Sequence, residues 1–150
     1  MHRAVLAGRK AALEAIKPGV HATEVDSAAR EAIQSFSLDK YLKHGTGHGV
    51  GFSPMSAYSI PRLHGGSTDV LQEGMVFNVE PAIYIQGYGG VRHCDMVAVT
   101  GTGCELLTDF QSHIESLAVT SFDRTPANSA QSTIVAESSS VRTNSRLATG

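Results

Sequence analysis

Between His2 and Lys17 the apolar residues Val5, Leu6, Ala12, Leu13 and Ile16 return at roughly helical intervals, and Pro18-Gly19 supplies the stop. A second helix is predicted over about 23–36. Thr23-Glu-Val-Asp26 approximates a capping box, and Val25, Ala28, Ala29, Ala32, Ile33 and Phe36 form its apolar stripe. With so short a link the two make an αα-hairpin, whose alanines allow close approach to a sheet. The pattern then changes. His44–Gly51 alternates four glycines with other residues, and 52–69, carrying Pro54, Pro61, Gly65 and Gly66, reads as an irregular loop. Met75–Val79 is a strand by composition, closed by Glu80-Pro81. Ile83–Ile85, the turn Gly87–Gly90, and Val91 to Thr100 predict a hairpin. Gly101–Gly103 then turns into a further strand, Cys104–Thr108. Helices followed by hairpin-linked strands predict an α+β fold, an αα-hairpin packed on an antiparallel sheet.

From Ser121 the language changes again. Serine and threonine hold eleven of the last thirty positions, and such a segment buries too little apolar surface to offset its ordering entropy. A globular region over 1–120 and a disordered Ser/Thr-rich tail over 121–150 are expected.

Composition narrows the function classes. The chain has 150 residues, 41% hydrophobic and 17% charged, with a formal net charge of -2. That balance gives no electrostatic reason to expect nucleic acid or an anionic membrane as partner. The sequence shows no apolar run of bilayer length and no secretory signal, and its two cysteines, Cys94 and Cys104, make neither a disulfide framework nor a CxxC site. A cytoplasmic, reduced setting is the expectation.

Candidate chemistry lies at three places. His44-Gly-Thr-Gly-His48-Gly-Val-Gly51 is too rich in glycine for a helix, and on an extended segment its two imidazoles share a face. Glu80 follows an apolar strand, and Arg92-His93-Cys94-Asp95 lies on the hairpin beyond Gly89-Gly90. An imidazole nitrogen and acidic oxygens delivered by different strands are what a divalent metal needs. Each also has a plain structural reading: Glu80 as a solvated strand end, Asp95 as the ion partner of Arg92.

Together the segments 44–51, Glu73-Gly-Met-Val-Phe-Asn-Val-Glu-Pro81, and Gly89-Gly-Val-Arg92 with Asp95 resemble the M24 metallopeptidase family, nearest its Xaa-Pro aminopeptidase and prolidase branch. The resemblance covers roughly 1–110. It implies the second half of a pita-bread fold, a site for divalent metal ions (manganese, cobalt or zinc), and hydrolysis of a peptide or small amide substrate through a metal-activated water. It implies that His48 and Glu80 are metal ligands, that His44 contacts substrate and helps move protons, and that Arg92 stands beside the last ligand. Family members commonly dimerise, so a homodimer is within its implications.

The departures are specific. The family's second metal-binding glutamate is replaced here by Cys94, with Asp95 the next carboxylate, although strand alternation turns Asp95 to the opposite face. A further family histidine is replaced by Met55 or Tyr58, depending on where the loop is gapped; His64 follows that loop. The family's two aspartate ligands come from strands of its first half, and none of the six aspartates here makes that pair. The metal set thus comprises His48 and Glu80, with Cys94 or Asp95 as a third ligand, and the catalytic set His44, Glu80 and Arg92. The expectation is a truncated or divergent metallopeptidase of weak activity. The alternatives are an inactive pita-bread binding or scaffold protein and a metal-free, creatinase-like hydrolase.

Overall fold

The computed structural model describes residues 1–51, 59–109 and 113–118. The expected tail, 121–150, lies outside the described residues, as do positions 52–58 of the expected loop, including Met55 and Tyr58. Helix α1 spans His2–Ala15 and α2 spans Ala22–Gln34. A Cβ on Gly8 would stand 2.9 Å from the Ile33 side chain, so glycine there lets the two helices close on each other. Two of the predicted details are corrected. The capping interaction begins at His21, whose N–H donates to the Glu24 carboxylate at 3.0 Å. Asp26 is instead buried. Phe36 lies past the end of α2 and is exposed, so the stripe stops at Ile33.

The strands are β1 (Gly47–His48), β2 (Arg62–Leu63), β3 (Val76–Val79), β4 (Ala82–Ile85), β5 (Gly89–Arg92), β6 (Asp95–Val99) and β7 (Cys104–Leu106). A single 3-10 turn, Asp39–Tyr41, precedes β1, and a short helix α3 spans Ile114–Leu117. Every pairing is antiparallel: β1 with β2, β3 with β6, β6 with β7, and β4 with β5. The arm expected to run unbroken from Val91 to Thr100 is divided at His93-Cys94, opposite Glu80-Pro81. Pro81 has no N–H to donate, and the ladder lapses there. The two halves keep one phase, with Val79 opposite Asp95 and Ala82 opposite Arg92. Continuing that phase sets Glu80 across from Cys94.

Alternation explains the core. Asp95, Val97 and Val99 of β6 are buried while Met96 and Ala98 between them are less so. The first face joins Phe77 and Val79 of β3 and Ala12, Ile16, Val25 and Ala29 of the helices in one apolar cluster. A second cluster, Ala4, Val5, Ile33, Leu42 and Ile83, continues it under β4. Each fully buried Phe, Ile or Val contributes about 1.5–3 kcal/mol of transfer free energy. Asn78 of β3 is also buried, and the segment carrying β1 runs antiparallel along that strand, with Gly49 bridged to Phe77 and the Val50 N–H donating to Val76 O at 3.3 Å.

A charged group interrupts the core between α1 and β6. The Asp95 carboxylate accepts from Arg9 Nε and from the Thr108 hydroxyl, and His93 Nε2 lies 3.2 Å from it. Burial alone would raise the Asp95 carboxyl, but the hydrogen bond and charge of Arg9, with His93 and Thr108, outweigh it and hold the group below its ordinary 3.8. Burial is also the main cause that lowers His93 from 6.5, against the pull of Asp95.

Both shifts have one sign for stability. The unfolded chain binds more protons than the folded one, first through His93 below 6.5 and then through Asp95 below 3.8, so stability is lost as the pH is lowered through each window. Urea unfolding measured against pH should show both losses. Asp95→Ala should remove the acidic step and, by leaving Arg9 uncompensated, cost about 3–5 kcal/mol near neutrality.

Candidate active site

The glycine-rich segment is held from three sides. Thr46 N–H donates to Leu63 O at 2.7 Å, His48 N–H to Asn78 Oδ1 at 2.7 Å, and Glu80 N–H to Thr46 O at 2.6 Å. A Cβ on Gly47 would overlap the main-chain oxygen of Asn78, so a side chain there is incompatible with the approach of β1 to β3. The result is a cleft of about 560 Å³, partly open to solvent, lined by His44, His48, Glu80 and Arg92 among others.

The two imidazoles are set by the same local device. Nδ1 of His44 lies 2.7 Å from Gly45 O and Nδ1 of His48 lies 2.9 Å from Gly49 O. A carbonyl only accepts, so each Nδ1 carries the proton and each Nε2 presents its lone pair. His44 Nε2 accepts from the Tyr84 hydroxyl at 3.2 Å. His48 Nε2 accepts from Asn78 Nδ2 at 3.2 Å and stands 3.7 Å from Glu80 Oε1. The other Glu80 oxygen is 3.6 Å from Arg92.

Of the metal set expected from the sequence, His48 and Glu80 are brought together and Asp95 is not. Asp95 belongs to the helix-facing side of β6, where Arg9 claims it, because one step along a strand reverses the side chain. Cys94 stands across from Glu80 at the ladder's gap. Local desolvation first, then the Glu80 charge, hold its thiol above the ordinary value of 9.0 against the opposing pull of Arg92. At neutral pH it is a thiol, not the anionic oxygen donor of the family pattern. Among the described residues no three His, Cys, Asp or Glu side chains cluster closely enough to hold a metal ion. What fits a divalent ion is the pair itself: an imidazole whose Nδ1–H is engaged by a carbonyl, and a carboxylate 3.7 Å from its other nitrogen, which Asn78 occupies.

Three further residues, Ser59, Arg62 and His64, line the cleft without having been singled out as site residues. Arg62 is paired across from His48, and its N–H donates to Asp69 at 2.8 Å. The alternation Arg62-Leu63-His64, polar, buried, polar, was the available signal of a strand inside the expected loop. Also among the described residues, no helix is long and apolar enough to cross a membrane.

An αα-hairpin on antiparallel strands, with a His–Glu pair under a glycine-rich segment, defines the second half of a pita-bread fold of the peptidase class. Residues 1–101 match metallopeptidase family M24, and the chain belongs to that family. The Xaa-Pro dipeptidase of Pyrococcus furiosus is 44% identical over 108 residues, 72% of this chain and 30% of that protein. The Xaa-Pro dipeptidase of Lactobacillus delbrueckii subsp. lactis is 38% identical over 74% of this chain and 29% of its own length. Among solved structures, the prolidase from Pyrococcus furiosus superposes with a TM-score of 0.67 at 43% identity, covering 73% of this chain and 32% of that one. The X-Pro aminopeptidase from Thermotoga maritima gives 0.68 at 34% identity, over 75% and 31%. The chain therefore spans about 30% of the length of the curated relatives it matches.

The close approach at Gly47 is directly testable. In Gly47→Ala the new methyl meets main chain that cannot rotate away, so β1 must lift from β3. A loss of about 1–3 kcal/mol is expected in chemical denaturation. The His48 ring resonances should move with it, since Asn78 is the shared partner.

Proposed function

We propose that this chain contributes the histidine–glutamate side of a metal-activated peptidase site that cleaves Xaa-Pro bonds. The observation that supports this is the His48–Glu80 pair, 3.7 Å apart on separate elements and facing the same cleft as His44 and Arg92. Its relatives named as Xaa-Pro dipeptidases favour the same chemistry. In this reading His48 Nε2 and Glu80 are ligands of a divalent ion, manganese, cobalt or zinc. His44 accepts or returns a proton at Nε2 and contacts the peptide, with Tyr84 occupying that nitrogen until substrate arrives. Arg92 orients the Glu80 carboxylate through their ion pair. When bound, the metal lowers the pKa of a water and polarises the scissile carbonyl. Among the described residues these two donors stand without a third beside them. The free thiols Cys94 and Cys104 support a reducing, cytoplasmic setting.

Cys94 favours a second reading, a binding protein that has lost catalysis, since a protonated thiol stands opposite Glu80.

A chimera separates the two. The full chain replaces the matching segment of the Pyrococcus furiosus prolidase, and Xaa-Pro dipeptide hydrolysis is followed with manganese or cobalt. Hydrolysis is expected, His48→Ala reducing it to background and Cys94→Glu raising it. By itself the unaltered chain should bind metal weakly at a single site in calorimetry and leave the peptide uncut. Cys94→Glu should tighten that binding by about 10–100-fold, the scale on which a supporting group tunes a metal site. A Cys94→Glu chimera that takes up metal yet cleaves nothing would favour the binding reading. Robust hydrolysis by the isolated chain would show the ligands to be misplaced.

A further inference from the structure

We infer that Asp26 and Arg30 of α2 are positioning residues for the cleft, acting on His44 and Glu80 through the main chain of the glycine-rich segment. The inference rests on the reading of that cleft as a peptidase site. An Asp–Arg pair at this helical spacing is ordinarily a surface ion pair of small consequence. Here the acid is buried: the Asp26 side chain is 1% exposed, while Arg30 reaches it from a position 36% exposed. Its Oδ2 accepts from Arg30 Nε at 2.7 Å, and its Oδ1 accepts from both the main-chain N–H and the hydroxyl of Thr46, at 3.0 and 2.7 Å. Arg30 reaches past Asp26 with its remaining donors. One nitrogen donates to Leu42 O at 3.3 Å and another to His44 O at 2.7 Å.

These bonds fall where the cleft is most exacting. His44 lies two residues before Thr46 and His48 two after it, and Thr46 O receives the N–H of Glu80 at 2.6 Å. A planar guanidinium presents several donors in fixed directions, so Arg30 can hold Asp26 and two carbonyls at once. The carbonyl of His44 is thereby fixed relative to α2, and with it the peptide that leads to Gly45, whose oxygen selects the Nδ1–H form of the His44 ring. By the same route the Asp26–Thr46 bonds set the height at which Glu80 leaves β3. Neither α2 residue lines the cleft. Their effect on it passes through the backbone.

The test uses the whole chain, labelled with ¹⁵N, and needs neither metal nor peptide. Imidazole nitrogen spectra report the His44 tautomer, and amide exchange reports Thr46 and Glu80, with β6 amides as a control. Arg30→Lys keeps a cation beside Asp26 but cannot span two carbonyls. It should hold the urea midpoint and the β6 exchange rates, let His44 average between tautomers, and speed Thr46 and Glu80 exchange about fivefold or more, the scale of one net hydrogen bond. Arg30→Gln should release His44 and Glu80 in the same way, with a lower urea midpoint because the buried Asp26 loses its cation. Thr46→Val removes only the hydroxyl bond and should affect Glu80 more than His44. If Asp26→Asn fails to fold, these three variants still decide the matter. Unchanged His44 and Glu80 signatures would overturn the inference. So would a uniform rise in exchange that includes β6, because that marks a merely structural pair. An inactive chimera with a responsive His44 would remove the peptidase reading and leave the coupling between α2 and the segment standing.

Discussion

The main chain of Gly47 rests on the main chain of β3 with no room for a side chain between them, and the geometry of the cleft follows from that contact. It lets His48 donate its N–H to Asn78 and receive the Asn78 amide at Nε2, so one buried side chain holds both the main chain and the ring of His48. It also brings Thr46 O to the N–H of Glu80, which ties the first residue after β3 to the segment carrying the imidazoles. A buried polar residue such as Asn78 is costly unless satisfied. Here the approach of β1 satisfies it, and the core and the cleft are stabilised by the same bonds.

Much of this was legible in the sequence. The helical hairpin was, because an amphipathic period across two segments with a Pro-Gly stop between them admits few other structures. His44, His48, Glu80 and the segment Arg92–Asp95 were nominated together; His44, His48, Glu80 and Arg92 line one cleft, and Asp95 does not. Other features could not be read. Thr-x-x-Asp fits a capping box as well as His-x-x-Glu two residues earlier, and nothing local tells which will lie at the helix start. Asp26 was therefore taken for an end-cap when its partners are Thr46, far along the chain, and Arg30. Strand β2 has only two residues, so the alternation Arg62-Leu63-His64 is its whole local signal, and it is defined by its pairing with Gly47 and His48. The lapse at Pro81 needed knowledge of which strand faces it.

The neighbouring residues Cys94 and Asp95 show how tightly register controls donor count. Asp95 is opposite Val79, on the side that meets the helices, and its charge is bound by Arg9 with His93 and Thr108 close by. Bringing that carboxylate to the cleft would need a one-residue slip of β6, which would carry Val97 and Val99 out of the apolar cluster and leave Arg9 without its partner. The loss of two buried valines alone costs about 3–6 kcal/mol. The carboxylate present in the sequence is thus inaccessible to the site for reasons of packing, not distance along the chain. Position 94 is where the strand phase sets a side chain across from Glu80, and because Cys94 is exposed a substitution there acts without disturbing the core behind it.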